Sequence, residues 1–129
     1  MTSQLVAIPH MGEFPDVFVD LVQEFRGMKI FPAKGTLTQQ AAAFEQWLDK
    51  HELRSNIVII GRGTGGFIGQ IVAKRQPQRI QHILAVYYPD EALELPEAIF
   101  PEKSLIPTDI PVTRIDDEAA LAHELLQYL

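Results

Sequence analysis

Residues 56 to 75 read NIVIIGRGTGGFIGQIVAKR. Four consecutive β-branched residues, Ile57 to Ile60, suit a strand covered on both faces, as in a parallel sheet. Gly61-Arg62-Gly63-Thr64-Gly65-Gly66 follows, with four glycines in six positions, a composition for a sharp turn with close backbone approach. Ile68, Ile71, Val72 and Arg75 then recur at helical spacing. The stretch therefore predicts strand, tight turn and helix, the unit from which parallel α/β sheets are built.

The flanking sequence repeats this alternation. Leu5 to Pro9 is an apolar run that predicts a first strand, followed by the loop His10 to Pro15. Asp16 is placed to cap a helix carrying Phe18, Leu21, Val22 and Phe25 at i, i+3, i+4, i+7, ended by Gly27. Met28 to Phe31 predicts a short second strand. Thr36-Leu37-Thr38-Gln39 has capping-box spacing and opens a helix from about Thr38 to His51, with Phe44, Trp47 and Leu48 on one face and Trp47 expected in the core. Pro77 stops the central helix, and Ile83 to Tyr88 predicts a fourth strand. Residues 89 to 110, with four prolines and no periodicity, predict an irregular connection. Pro111 to Ile115 is a fifth strand, and Asp116 or Asp117 caps a last helix with Leu121, Leu125, Leu126 and Leu129 on its apolar side. Right-handed crossovers then give a single α/β domain over 1-129. Its expected form is a three-layer sandwich with helices on both faces of a five-stranded parallel sheet in the order 2-1-3-4-5.

Composition narrows the function. The 129 residues carry a net charge of −6 without basic blocks, which argues against nucleic acid or an anionic membrane surface as partner. There is no cysteine, which excludes thiolate metal sites and cysteine nucleophiles. His10, His51, His82 and His123 show no metal-ligand spacing, and Glu91, Glu94 and Glu97 read as solvated acids in a loop, so neither metal nor cofactor is expected. No basic, apolar leader and no bilayer-length apolar run is visible, and a cytoplasmic protein is the expectation.

The switch point of a 2-1-3-4-5 sheet lies between the first and third strands, so a crevice is expected between His10, Met11 and Gly12 on one side and Gly61, Arg62, Gly63, Thr64 and Gly65 on the other. The turn satisfies G-x-G-x-x-G, and a nucleotide or other phosphate ligand is one reading. That fingerprint belongs on the first βα turn, however, and the acid due about 20 residues later is absent from HILAVYY. A plainer reading is that the glycines only allow strand and helix to touch.

A further reading rests on resemblance. LVAIPHMGEFPDVFVDLVQEF, NIVIIGRGTGGFIGQIVAKRQPQRIQHILAVYYP and IPVTRIDDE together resemble an α/β-hydrolase. They correspond to its first strand with the His-Gly oxyanion loop, its nucleophile elbow with the following helix and strand, and the strand delivering the triad acid. The resemblance implies that Gly63 stands where the family has its serine, so no acyl-enzyme can form there. Thr64 is adjacent and expected to be structural. Asp116 or Asp117 matches the triad acid, and His10 matches the loop histidine. The final strand and its histidine are missing from the pattern, His123 is expected to be a helix-surface residue, and the cap is reduced to residues 89 to 110. What the resemblance leaves is an oxyanion-type site with the backbone N–H groups of Met11 and Thr64 aimed at one crevice, suited to a small anionic or acyl ligand. The implied protein is hydrolase-like without hydrolase activity, acting by ligand or protein binding. The alternatives are a small esterase with a non-standard site and the phosphate-binding domain. Arg62 is the one charge that could draw an anion into the crevice, its plainer role being an exposed rim charge. The 111-129 edge, open beyond the fifth strand, is a candidate surface for a homodimer or protein partner.

Overall fold

The computed structural model describes residues 3–128. The expected sheet is present: β1 (Gln4–Ile8), β2 (Lys29–Ile30), β3 (Ile57–Arg62), β4 (Ile80–Val86) and β5 (Thr113–Ile115) pair in parallel in the order β2-β1-β3-β4-β5. The helices are α1 (Val19–Glu24), α2 (Leu37–Lys50), α3 (Gly65–Arg75) and α4 (Glu118–Leu125).

Alternation along β3 builds both outer layers. Ile57 and Ile59 face a core with Phe44 and Leu48 of α2 and Phe67, Ile68 and Ile71 of α3. Val58 and Ile60 face the opposite core, with Leu21 of α1 and Leu121 and Leu125 of α4. All four are fully buried, which is why this strand carries no polar residue until Arg62. Trp47 stacks on Phe44 with ring centroids 5.9 Å apart and meets Phe31 edge-on at 5.6 Å, so it joins the core from a half-buried position.

Several boundaries move, each for a local reason. β3 continues through Gly61 and Arg62, paired with Ala85 and Val86, so the turn proper is only Gly63-Thr64. β4 begins at Ile80 and ends at Val86, because Tyr87 takes φ +54° and leaves the strand. Asp16 does not cap a helix: it lies inside a 3-10 turn, Pro15–Phe18, and α1 starts beyond it with Phe18 at its N-cap. Asp117 caps α4 by accepting the Ala120 N–H at 2.7 Å. Residues 89 to 110 contain two 3-10 turns, Asp90–Glu94 and Pro101–Leu105. Leu126 departs from the apolar stripe and is 58% exposed, and Leu129 lies outside the described residues.

The capping box at Thr36 and Gln39 forms with both reciprocal hydrogen bonds. A second cap comes from far along the chain. The Glu102 carboxylate accepts the Leu37 N–H at 3.2 Å and both the N–H and hydroxyl of Thr38 at 2.9 Å. Partial burial pushes the Glu102 carboxyl up, but the three hydrogen bonds outweigh it and hold the group below its ordinary value. A depressed folded value means the stabilisation is present above the unfolded-state pKa and is lost as pH falls through the folded one. Glu102→Gln is therefore expected to lower stability by about 1 kcal/mol at neutral pH, a difference that shrinks as acid protonates the carboxylate. Urea unfolding of both proteins from neutral to acid pH measures it.

Candidate functional site

The crevice at the switch point is made by two turns that meet across β1 and β3. Beyond β1 the chain makes a tight turn, with Glu13 N–H donating to the His10 carbonyl at 2.9 Å and Gly12 at φ +86°. The Glu13 carboxylate closes the turn by accepting the His10 N–H at 2.9 Å. Beyond β3, Gly63 adopts φ +55° and its N–H donates to the Val86 carbonyl at 2.8 Å. That left-handed conformation is where glycine carries the smallest penalty.

His10 lies directly over Gly63. A Cβ on Gly63 would fall 2.7 Å from the imidazole Cγ and closer still to Nδ1, so the ring fills the space a side chain at this position would need. The imidazole Nδ1 also accepts the Thr64 N–H at 3.0 Å, and the Thr64 hydroxyl accepts the Met11 N–H at 2.8 Å. The two backbone donors expected to face one crevice are thus brought together. Each is bonded to an acceptor of the chain itself.

Three N–H groups just beyond Thr64 and Gly65 are also engaged. Gly66 donates to the Gly63 carbonyl at 3.1 Å, and Phe67 and Ile68 donate to the Thr64 carbonyl at 3.0 and 3.3 Å. The glycines have steric reasons to be glycine. A Cβ on Gly61 would overlap the Gly65–Gly66 backbone, and one on Gly65 would overlap the Ile8 carbonyl. Close contact of strand and helix accounts for both.

Arg62 is neither a free rim charge nor a free anion receptor. Its Nε donates to both Glu13 oxygens at 3.0 and 2.9 Å, Nη1 donates to Glu118 at 2.9 Å, and the guanidinium lies 5.0 Å from the Tyr87 ring centroid. Burial lowers the Arg62 pKa, but the Glu13 hydrogen bond and the charges of Glu13 and Glu118 raise it further, so the side chain is firmly cationic. Glu13, Arg62 and Tyr87, with His10, Gly63, Pro89 and Glu91, line an open crevice of about 260 Å³. Two carboxylates bonded to one arginine leave little net attraction for an anion.

Asp116 is exposed at the end of β5. Three strand spacings separate β5 from β1 in the sheet, about 14 Å, so Asp116 and His10 are not partners. The other histidines lie elsewhere. His51 follows α2, His82 on β4 meets the Thr113 hydroxyl at 2.6 Å, and His123 is exposed on α4 as expected. Among the described residues no cluster of His, Cys, Asp or Glu could hold a metal ion, and no helix is long and apolar enough to cross a membrane.

Sequence reasoning missed one polar chain beside the site. The Tyr88 hydroxyl donates to Gln70 Oε1 at 2.7 Å, and Gln70 Nε2 donates to the Ile110 carbonyl at 2.9 Å. Gln70 is 3% exposed, so its amide ties the 89–110 connection to α3 from inside. Burial is the main cause that raises the Tyr88 phenol pKa, which keeps it a neutral donor. A glutamine among apolar residues of a helix was the available signal.

No protein-family model matches this sequence. No curated protein matches it either. Among solved structures, a hydrolase from Pseudomonas aeruginosa matches at 22% identity and TM-score 0.62, over 78% of this chain and 43% of that one. A haloalkane dehalogenase from Agrobacterium tumefaciens matches at 17% and 0.52, over 67% and 34%. A YdeN-like hydrolase from Pectobacterium atrosepticum matches at 13% and 0.65, over 98% and 70%. The chain thus spans less than half the length of the first two. At these identities the likeness is one of fold: the chain has the α/β-hydrolase fold.

Proposed function

We propose that this domain is a hydrolase-like protein without hydrolase activity, acting by binding a ligand or a protein. The observation that carries the reading is the His10 ring over Gly63. Where the fold places a nucleophile there is no side chain, and the space for one is occupied. Both backbone donors that would stabilise a tetrahedral oxyanion are spent on His10 and Thr64, so transition-state charge would have to displace existing bonds. The imidazole does not substitute as a nucleophile, because the Nδ1 lone pair accepts the Thr64 N–H and the neutral ring then carries its proton on Nε2.

The candidate ligand surface is the crevice from His10, Met11 and Gly12 to Gly61 through Gly65. Its charge balance favours a small acyl compound or weakly charged acid over a phosphate. The Gly63, Thr64 and Gly66 N–H groups already have partners within the chain, which speaks against a nucleotide cradle. A protein partner, or a second copy, would use the 111-129 edge.

Purified protein and its Thr64→Ala variant are both expected to show no turnover of p-nitrophenyl acetate or butyrate above a protein-free blank, and no labelling by a fluorophosphonate probe; hydrolysis that survives in both would overturn the reading. Hydrolysis lost in Thr64→Ala would overturn the reading in favour of a small esterase. A thermal-shift screen with short carboxylic acids, ATP, FMN, NAD and coenzyme A separates the ligand classes. A ligand at ~100-fold its Kd adds about 2.7 kcal/mol, several degrees for a domain of this size.

A further inference from the structure

We propose that His10 is a proton-operated latch on the elbow. The proposal rests on the reading that this site binds rather than hydrolyses, and it concerns how the site is opened.

Three contacts hold the latch, and only one of them depends on the protonation of the ring. The backbone of the His10 turn is clipped by Glu13 in two directions, His10 N–H to the carboxylate and Glu13 N–H to the His10 carbonyl. The ring itself is held by the Thr64 N–H donating to Nδ1. That bond requires a lone pair on Nδ1. An imidazolium carries protons on both nitrogens and has no acceptor to offer. Protonation therefore converts a hydrogen bond into two N–H groups facing each other, while leaving the turn's backbone clips in place.

The ring has somewhere to go. His10 is exposed, and it borders the 260 Å³ crevice, so a side-chain rotation carries it from above Gly63 toward solvent. Rotation vacates the seat over Gly63 and frees the Thr64 N–H at the first residue before α3. The Met11 N–H stays on the Thr64 hydroxyl, so the opening releases one donor at a time.

The charged and titratable groups around the ring come from each neighbouring segment. Glu13 stands on its own turn, Arg62 on β3, and Tyr87 and Glu91 on the segment after β4. Glu13 and Arg62 are already bonded to each other. Imidazole is the side chain suited to a proton-driven change of hydrogen bonding, and the Glu13–Arg62 pair beside it does not depend on the ring.

The test follows the Thr64 amide and the His10 ring by NMR in the intact protein, from pH 8 to pH 5. In wild type the Thr64 amide is expected to shift with the midpoint of the His10 ring, and its exchange protection, corrected for intrinsic rate, to fall by about tenfold. His10→Gln keeps an acceptor that does not titrate, and its Thr64 amide is expected to stay fixed. A wild-type ring that titrates without moving Thr64 would overturn the latch, and so would a Thr64 shift that persists unchanged in His10→Gln. If the variant does not fold, agreement or disagreement of the two wild-type midpoints decides alone. Neither readout involves turnover, so failure of the latch is separable from failure of the non-hydrolytic reading.

Discussion

Gly63→Ser, the substitution that restores a serine to the elbow, is expected to destabilise the protein and to create no esterase. Two terms add. A non-glycine residue at φ +55° costs about 1 kcal/mol or more. The new Cβ collides with the His10 ring, which must leave and give up its bond to the Thr64 N–H, a further loss of about 1 to 2 kcal/mol. The sum, about 2 to 4 kcal/mol, corresponds to a Tm drop on the order of 10 °C. His10→Ala in the same chain removes the collision but not the backbone strain. The double variant should therefore be more stable than the two single losses added together, with a coupling of about 1 kcal/mol. Additive losses would mean that His10 and position 63 do not share the space.

Gly65→Ala is expected to be as damaging or worse, by at least about 3 kcal/mol, and its contrast with Gly69→Ala makes the point. At Gly65 an added methyl meets the backbone of β1, with the Ile8 carbonyl carbon at 3.0 Å and its oxygen nearer. Neither β1 nor α3 can retreat, because Ile8 pairs with Gly61 and α3 packs on β3 immediately below. Gly69 is also buried in α3, but its added methyl would meet only the side-chain methyls of Ile59 and Ile83, at 3.3 and 3.4 Å. Those methyls can give by a few tenths of an ångström, and Gly→Ala inside a helix returns about 0.8 to 1 kcal/mol of propensity. Gly69→Ala should fall within about 1 kcal/mol of wild type. Urea unfolding of the two variants measures the difference, and equal losses would refute the steric account of the turn.

Residues that act through near neighbours were legible in the sequence. Ile57 to Ile60 announces a doubly covered strand, the alternation of strands and helices gives the 2-1-3-4-5 order, and Thr36 with Gln39 marks the capping box of α2, which begins one residue before the expected Thr38. Boundaries slipped where one residue's backbone decides them: Tyr87 ends β4 by turning to positive φ, and Gly61 extends β3 although glycine reads as turn. The meeting of the two turns was legible, since the His10–Gly12 and Gly61–Gly65 segments do touch through Thr64. Their internal bonding was not. The bonds of Glu102 to the start of α2 join residues 65 and 64 apart, and the Thr64 contacts with Met11 and His10 join residues 53 and 54 apart. No local pattern in one sequence encodes such pairings. Arg62 was misjudged for the same reason, because its partner Glu13 is 49 residues away.

The parallel pairing of β1 with β3 also has a kinetic meaning. Every strand contact in this sheet closes a long stretch of chain, and the β1–β3 register brings together residues about as distant as the 53 that separate Met11 from Thr64. Loop closure on that scale must precede the contacts that reward it, so such topologies fold more slowly than helical bundles of similar size. The helices and the Thr36 cap can form early from neighbouring residues. The elbow cannot, because His10 has nothing to sit on until β1 lies beside β3. Its assembly is a report that the sheet has closed, and the Thr64 amide is the place in the chain where that closure would be read.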